Sequence, residues 1–535
     1  MSGQFSIDWQ QRDGQPCLPP ALPLEVERLT WRAEGGACAA LLSGGLDADL
    51  PAFNLSSWAA DALRRALVIR NAAGEACWWG YVARVEARQG AAGLVFDLER
   101  MANRVAVVYA PRIKETRWIG ERAFTPWAED AASIARYGRK EKMLVLPPLE
   151  EGQALAARDA HLRRWALPAG MPFTSRIGAA ESRPGRGQPR PGRGESERTM
   201  RVRLVCRGWW STLDWAHPRI AFGWDGFSES AQTSQNFGRT LNSDHLLAQS
   251  IRAGYGPFYL GEVGLSARLS GTPTDALVVE VCADASSAPG TVLASANLPA
   301  GVISPARCWL RFTFASPPLL QANTPYWLRI SRSGAVNATH FYQLFREGSD
   351  PYPAGRLCYW GGSAWLDLAG GTSDLNFYFS ALQTRSARIV ELAGAALGGQ
   401  FLSGTRLLAA VGGYTPYFCD GVRTCREELL DLLRGGGVDG RRLCAWVSAA
   451  RELVIAAEPE KDEVDWQIDP QGVIRAPNGR PARLGDALAG RRARLTAGWL
   501  DSAALMERVE WTPRGGLRAA LEDAGGGAVS RPGAW

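Results

Sequence analysis

The sequence predicts a mainly β protein with some α+β character, and three observations predict it. Short apolar–polar alternations recur along most of the 535 residues, separated by turns rich in Gly, Pro, Asn and Ser. Helical periodicity is confined to a few stretches. Glycine (59) and tryptophan (21) are both abundant, a composition suited to short strands joined by tight turns. At about 150 residues per domain the chain is long enough for three or four domains.

Residues 1–110 form a first domain, of which 24–110 read as short strands. Leu24–Trp31, Ala66–Arg70, Cys77–Glu86 and Gly93–Leu98 alternate, and Asn71-Ala-Ala-Gly74 is a turn between two of them. Residues 111–177 form a helix–strand connector around Ser133-Ile-Ala-Arg-Tyr137-Gly138-Arg-Lys-Glu141. Here Thr125 is placed to cap a helix, Pro126 to open it, Glu129 and Asp130 to meet its dipole and Gly138 to end it. Met143–Pro147 reads as a strand. A second helix is expected from about Leu149 to Leu167, with Leu155, Leu162, Trp165 and Ala166 at helical spacing and Pro168 as its stop.

Residues 178–198 carry Pro-Gly-Arg-Gly twice, at 184–187 and 191–194, with almost nothing apolar to bury, so a flexible linker is expected. Its arginines suit a solvated loop better than a nucleic-acid contact. Alternation resumes at 199–217, through Gly208-Trp209-Trp210 to Trp215.

Residues 218–384 read as a β-sandwich. Leu260–Leu269, Leu277–Cys282, Cys308–Phe314 and Tyr326–Ser331 are the strands, with turn clusters at 270–273, 286–290 and 315–318. Residues 385–535 return to an α/β and barrel pattern. A helix is expected at Arg388–Leu397, and another from the capping box Thr424-Cys-Arg-Glu427 to Gly435. Strands follow at Leu443–Val447, Arg451–Ala456, Arg494–Trp499 and Met506–Trp511. The residues from Gly525 onward look frayed.

Composition narrows the function. With 46% hydrophobic and 21% charged residues the chain can bury real cores. A net charge of +6 does not by itself demand nucleic acid. The ten cysteines form no Cys-x-x-Cys pair and the four histidines are dispersed, so no metal site is expected and the thiols read as reduced and buried. The start lacks the basic and apolar regions of a signal peptide, and no apolar run spans a bilayer. Synthesis in a reducing cytoplasm follows, with release by lysis rather than secretion if the protein acts outside the cell.

No Gly-x-Ser-x-Gly elbow, P-loop or His-Glu-x-x-His motif is present. His161, His217, His245 and His340 have no sequence partner. The acidic pairs Glu458/Glu460 and Asp462/Glu463 lie in a charged loop, where solvation is the default. No catalytic residue and no cofactor is assigned, and the chain is read as a non-enzyme. The one binding signal is aromatic: Tyr359 and Trp365, with Asp350 and Arg356 as partners for hydroxyl groups, are candidate glycan-binding residues. Core packing of Tyr359 and Trp360 is the competing reading.

The connector resembles a segment of tail hub and baseplate hub proteins of tailed bacteriophages. So does the end of the first domain, where Trp78-Trp79-Gly80 precedes Leu98-x-x-x-x-Asn103-x-Val105. Residues 271–275, 288–294 and 320–328 resemble a jelly-roll module of phage tail and bacterial surface proteins, which looks carbohydrate-binding. The resemblance implies a structural virion protein with hub-type β-barrels, the first of them at 1–110, and a small α/β domain, interrupted by an inserted jelly-roll. It further implies a homotrimeric ring at the tail tip. Its partners would be the tail tube or distal tail ring, the tape measure, fibres or a spike, with a host surface glycan as a further ligand and phage DNA only as lumen cargo. An adhesin acting through the jelly-roll and an enzyme degrading envelope polysaccharide are the alternatives.

Overall fold

Alternation becomes strand almost everywhere: the described residues hold 37 strands and five α-helices, so the fold is mainly β. The computed structural model describes residues 5–11, 15–17, 22–47, 55–89, 92–110, 123–168, 170–174, 199–220, 224–226, 233–240, 245–254, 256–347, 352–397, 403–417, 419–458, 466–468, 474–476, 478–480, 482, 492–497, 500–512 and 516–521. The expected linker at 178–198 and the expected frayed end from Gly525 lie outside them. The chain divides into two bodies. One comprises Met1–Pro218, Ile389–Gly412 and Gly421–Trp535; the other comprises Arg219–Arg388 and Gly413–Asp420.

The first body is built on one large sheet. Its path runs Phe5–Gln10, Ala66–Asn71, Ala76–Gln89, Thr199–Arg207, Gly35–Asp47, Glu25–Arg32, Leu500–Thr512 and Arg492–Ala497. The Thr199–Arg207 strand is central, with Cys206 opposite Ala40 on one side and Val82 on the other. Strands from the two ends of the chain also pair directly, Leu29 opposite Trp511. One core results, in which Trp78, Tyr81, Leu204 and Trp209 pack with Ile389, Leu429 and Ile455.

Alternation after residue 199 does not persist to Trp215 as expected. The strand ends at Arg207, and Trp209–Trp215 is a 3-10 helix. Gly208 makes the change possible, since a Cβ there would lie 1.6 Å from the Ala37 carbonyl oxygen. A smaller sheet beside it pairs Glu141–Val145 parallel to Arg104–Tyr109.

The connector helix is shorter than expected, Ala131–Tyr137, and is capped by Asp130, whose carboxylate accepts from Ser133 N at 2.8 Å. Thr125 is committed elsewhere: its Oγ1 accepts from Val107 N at 2.9 Å, and Ala128–Glu129 is a short strand. The second helix is Glu151–Trp165. Thr424 and Glu427 form the expected capping box on Cys425–Arg434, which ends at Gly435.

The second body is a β-sandwich. A nine-stranded sheet centred on Phe258–Ser270 faces a six-stranded sheet ordered Pro289–Pro299, Ala276–Asp284, Tyr326–Arg332, Leu247–Ile251, Leu357–Trp360 and Trp365–Asp367. Leu265, Phe312, Phe377 and Phe379 of the first sheet meet Val279, Val281, Leu328 and Ile330 of the second in one core. The chain crosses between the sheets repeatedly, as in Greek-key sandwiches. At one edge Arg332 grips Asp275 with two bonds of 2.7 Å each. Among the described residues no helix is long and apolar enough to cross a membrane. All ten cysteines are free thiols.

Candidate functional site

The residues that carry the resemblance converge in the first body. Asn103 is fully buried. Its Nδ2 donates to Gly138 O at 2.7 Å and to Ser133 Oγ at 3.2 Å, and its Oδ1 accepts from Lys140 N at 2.7 Å. Ser133 in turn donates to Ala166 O at 2.5 Å. Gly138, with φ of 90°, turns the chain out of the helix in a region that favours glycine. Three residues on, Glu141 is buried and accepts from Arg104 Nη1 at 2.5 Å and from His217 N at 2.7 Å. Arg104 lies over the Trp127 ring at 4.8 Å. Burying a carboxylate is costly without such partners. Thus one knot ties together both connector helices, the Glu141–Val145 strand and the segment before Pro218.

A cavity of about 810 Å³ opens beside this knot, and every segment lining it belongs to the first body. Trp210 and Trp215 come from the 3-10 helix, Lys140 and Glu141 from the connector, Glu99 and Arg100 from the turn after the Ala92–Asp97 strand, and Arg426 from the capping-box helix. Trp210 fits because position 35 is glycine: a Cβ on Gly35 would lie 2.7 Å from the indole. Lys140 Nζ donates to Leu98 O at 2.5 Å and Glu99 O at 2.8 Å, and sits 5.1 Å from the Trp215 ring. Burial pulls the Lys140 amine down to about 8, with Asp97 and Glu99 opposing that pull. The buried Arg64 guanidinium lies 4.7 Å from the Tyr81 ring, 4.9 Å from Trp209 and 5.5 Å from Trp215.

The lining carboxylates are mostly committed. Glu99 pairs with Arg207 at 2.9 Å and Asp214 with Arg426 at 3.0 Å. Burial raises the Asp214 carboxyl and lowers both His161 and His217. Ser211 Oγ is held by Gly208 O at 2.8 Å and the Tyr81 hydroxyl at 2.9 Å, while His217 Nδ1 meets Val422 O at 3.1 Å. Burial lifts Tyr81 to about 12, so it stays protonated. The Thr424 hydroxyl reaches the Asp214 carboxylate at 3.4 Å, and no metal-binding cluster occurs among the described residues. The arrangement is suited to holding a ligand or a neighbouring surface.

The glycan-binding candidates in the second body are only partly brought together. Asp350 lies outside the described residues. Trp365 pairs with Trp360 across two strands, ring centroids 5.6 Å apart, on the sheet face that also carries Trp327, Cys282 and Cys358. Arg356 joins that face: it reaches Asp367 at 3.1 Å, donates to Ser287 O at 2.5 Å and lies 5.5 Å from the Trp327 ring. Tyr359 turns the other way and packs against the sandwich core. The period of two puts neighbours in a strand on opposite faces, so Tyr359 cannot share a platform with Trp365.

Sequence reasoning missed Lys140, Arg207, Asp214 and Arg64 as site residues. The repeated Trp-Trp at 209–210 was the only local signal, because the lining comes from segments far apart in the chain.

No protein-family model matches the chain, and no curated protein matches it. Among solved structures, the mosquito-larvicidal Cry4Aa toxin of Bacillus thuringiensis is similar at 7% identity and a TM-score of 0.17, over 68% of this chain and 53% of that one. This chain therefore spans about half the length of that toxin. An arabinoxylan arabinofuranohydrolase of Bacillus subtilis is similar at 8% identity and a TM-score of 0.14, over 62% of this chain and 69% of that one. The VP2 subviral particle of infectious bursal disease virus follows at 12% identity and a TM-score of 0.15, over 68% of this chain and 79% of that one. Superpositions this poor carry no assignment.

Proposed function

We propose that this chain is a structural virion protein of a phage tail tip, a hub or baseplate component that forms a trimeric ring joining the tail tube to the distal tail parts. The convergence of Asn103, Ser133, Gly138 and Glu141 carries the reading. Residues that resemble a hub segment in sequence are the ones that knot the first body together. The chain path also supports it. The first body is assembled from three separate stretches, and the two stretches of the second body, 219–388 and 413–420, fill the gaps between them. Closed rings bury surface that a lone sheet protein leaves open, which favours a symmetric oligomer. The partners follow from that place: the tail tube or distal ring above, the tape measure within, and fibres or a spike below. Gold-labelled antibody against the chain should decorate the tail tip of intact particles. Decoration of capsids, or of no particle, would contradict the proposal.

A second reading rests on the sandwich. Trp365 is half-buried against Trp360, with Arg356 and Asp367 on the same face. Sugar rings stack on such indoles while charged groups bond their hydroxyls, so a host surface glycan is the ligand this face would take.

A further inference from the structure

We propose that the cavity in the first body binds an acidic saccharide, a sugar ring carrying one carboxylate. Its volume of about 810 Å³ accommodates one or two sugar rings. The half-buried Trp165 indole supplies an apolar face of the kind that stacks on a pyranose ring. The Trp210 indole N–H makes no hydrogen bond among the described residues, which leaves a donor for a sugar oxygen.

The charge of the lining selects an anion. Six lysine and arginine side chains line the cavity against four carboxylates. Three of those four are already held: Glu99 by Arg207, Asp214 by Arg426, and Glu141 by Arg104, which lies outside the lining. Lys142 and Arg32 are exposed at the cavity, where they can meet a ligand carboxylate. Glu34, also exposed there, can accept sugar hydroxyls. The Glu34 carboxylate disfavours a polyphosphate, whose charges it would repel, so one negative charge on a hydroxylated ring is the better match. The inference does not rest on the tail-tip proposal, because it needs only the first body.

Isothermal titration calorimetry on the full chain tests it, with glucuronate as the probe and glucose, acetate and glucose 6-phosphate as the other arms. Glucuronate should bind saturably, at least about tenfold tighter than glucose or acetate. In the Arg32→Glu/Lys142→Glu double variant, whose fold is checked by its melting profile, glucuronate affinity should fall by about tenfold or more. The proposal is overturned by the absence of saturable glucuronate heat, by glucose or acetate binding as tightly, or by a double variant that melts normally and binds unchanged. Glucose 6-phosphate binding more tightly than glucuronate overturns the carboxylate assignment in favour of a sugar phosphate. Should the double variant not fold, Trp210→Phe replaces it: removing the indole N–H should weaken glucuronate binding several-fold, and unchanged binding overturns the proposal.

Discussion

Ser133 and Ala166 are joined by a hydrogen bond of 2.5 Å from hydroxyl to carbonyl, and both residues are buried. Ala166 is the C-terminal cap of the second connector helix, so the bond satisfies a carbonyl that the helix leaves without an internal partner. Ser133→Ala removes that donor and also the acceptor for Asn103 Nδ2. Leaving buried polar groups short of partners costs about 1–3 kcal/mol. The midpoint of guanidinium unfolding should fall accordingly; an unchanged midpoint would show that the knot does not hold the helices.

Lys140 gives the first body a pH signature. Its ordinary value of 10.5 falls to about 8 in the fold, chiefly through burial. Between those values the unfolded chain binds more protons than the folded one, so this group makes stability rise with pH across that window. Below about 8 the ammonium form is present in both states and the cost of burying it is felt in full. Lys140→Met abolishes the titration. The stability of the native chain minus that of the variant should therefore climb from pH 8 to 10.5, and a flat difference would contradict the assignment.

Arg332 and Asp275 make the matching test in the second body. Burial pushes the Asp275 carboxyl up, but the Arg332 bonds and the Gly334 N–H outweigh it and hold the group below its ordinary 3.8. Its contribution is present above that value and is lost as the pH falls through the folded value. Arg332→Ala removes the main partner of a partly buried carboxylate and should cost about 1–3 kcal/mol. Thermal unfolding should show the loss at neutral pH, and the variant should lack the acid-dependent step.

Trp365→Ala tests the glycan reading of the sandwich. Ring stacking contributes about 1 kcal/mol beyond the area buried. Adsorption to host cells should weaken several-fold while particle yield stays unchanged. Normal adsorption would leave the Trp360–Trp365 pair a packing feature only.

Much of the fold was legible because its signals are local. Strand alternation at 66–70 and 77–86 and the Thr424–Glu427 capping box each reappear where a period of two or a helix start requires them. The Thr125 cap failed because Val107 N, 18 residues away, competes for its hydroxyl, and sequence gives no weight to that contact. The 3-10 turn at Trp209 was hidden for the same reason, since Gly208 is needed only because Ala37 lies against it. The Ser133–Glu141 motif was visible, but its union with Asn103 and His217 depends on tertiary packing. The glycan candidates show the converse: Tyr359 and Trp365 are close in sequence, yet the pleat places them on opposite faces.

Native mass spectrometry of purified tails, opened gently to release intact subcomplexes, tests the central claim most directly. A tail-tip hub should emerge as a trimer of this chain, alone or bound to tube or distal tail proteins. A chain that is monomeric both in isolation and in the released tail material, or that is absent from tails altogether, would contradict the account.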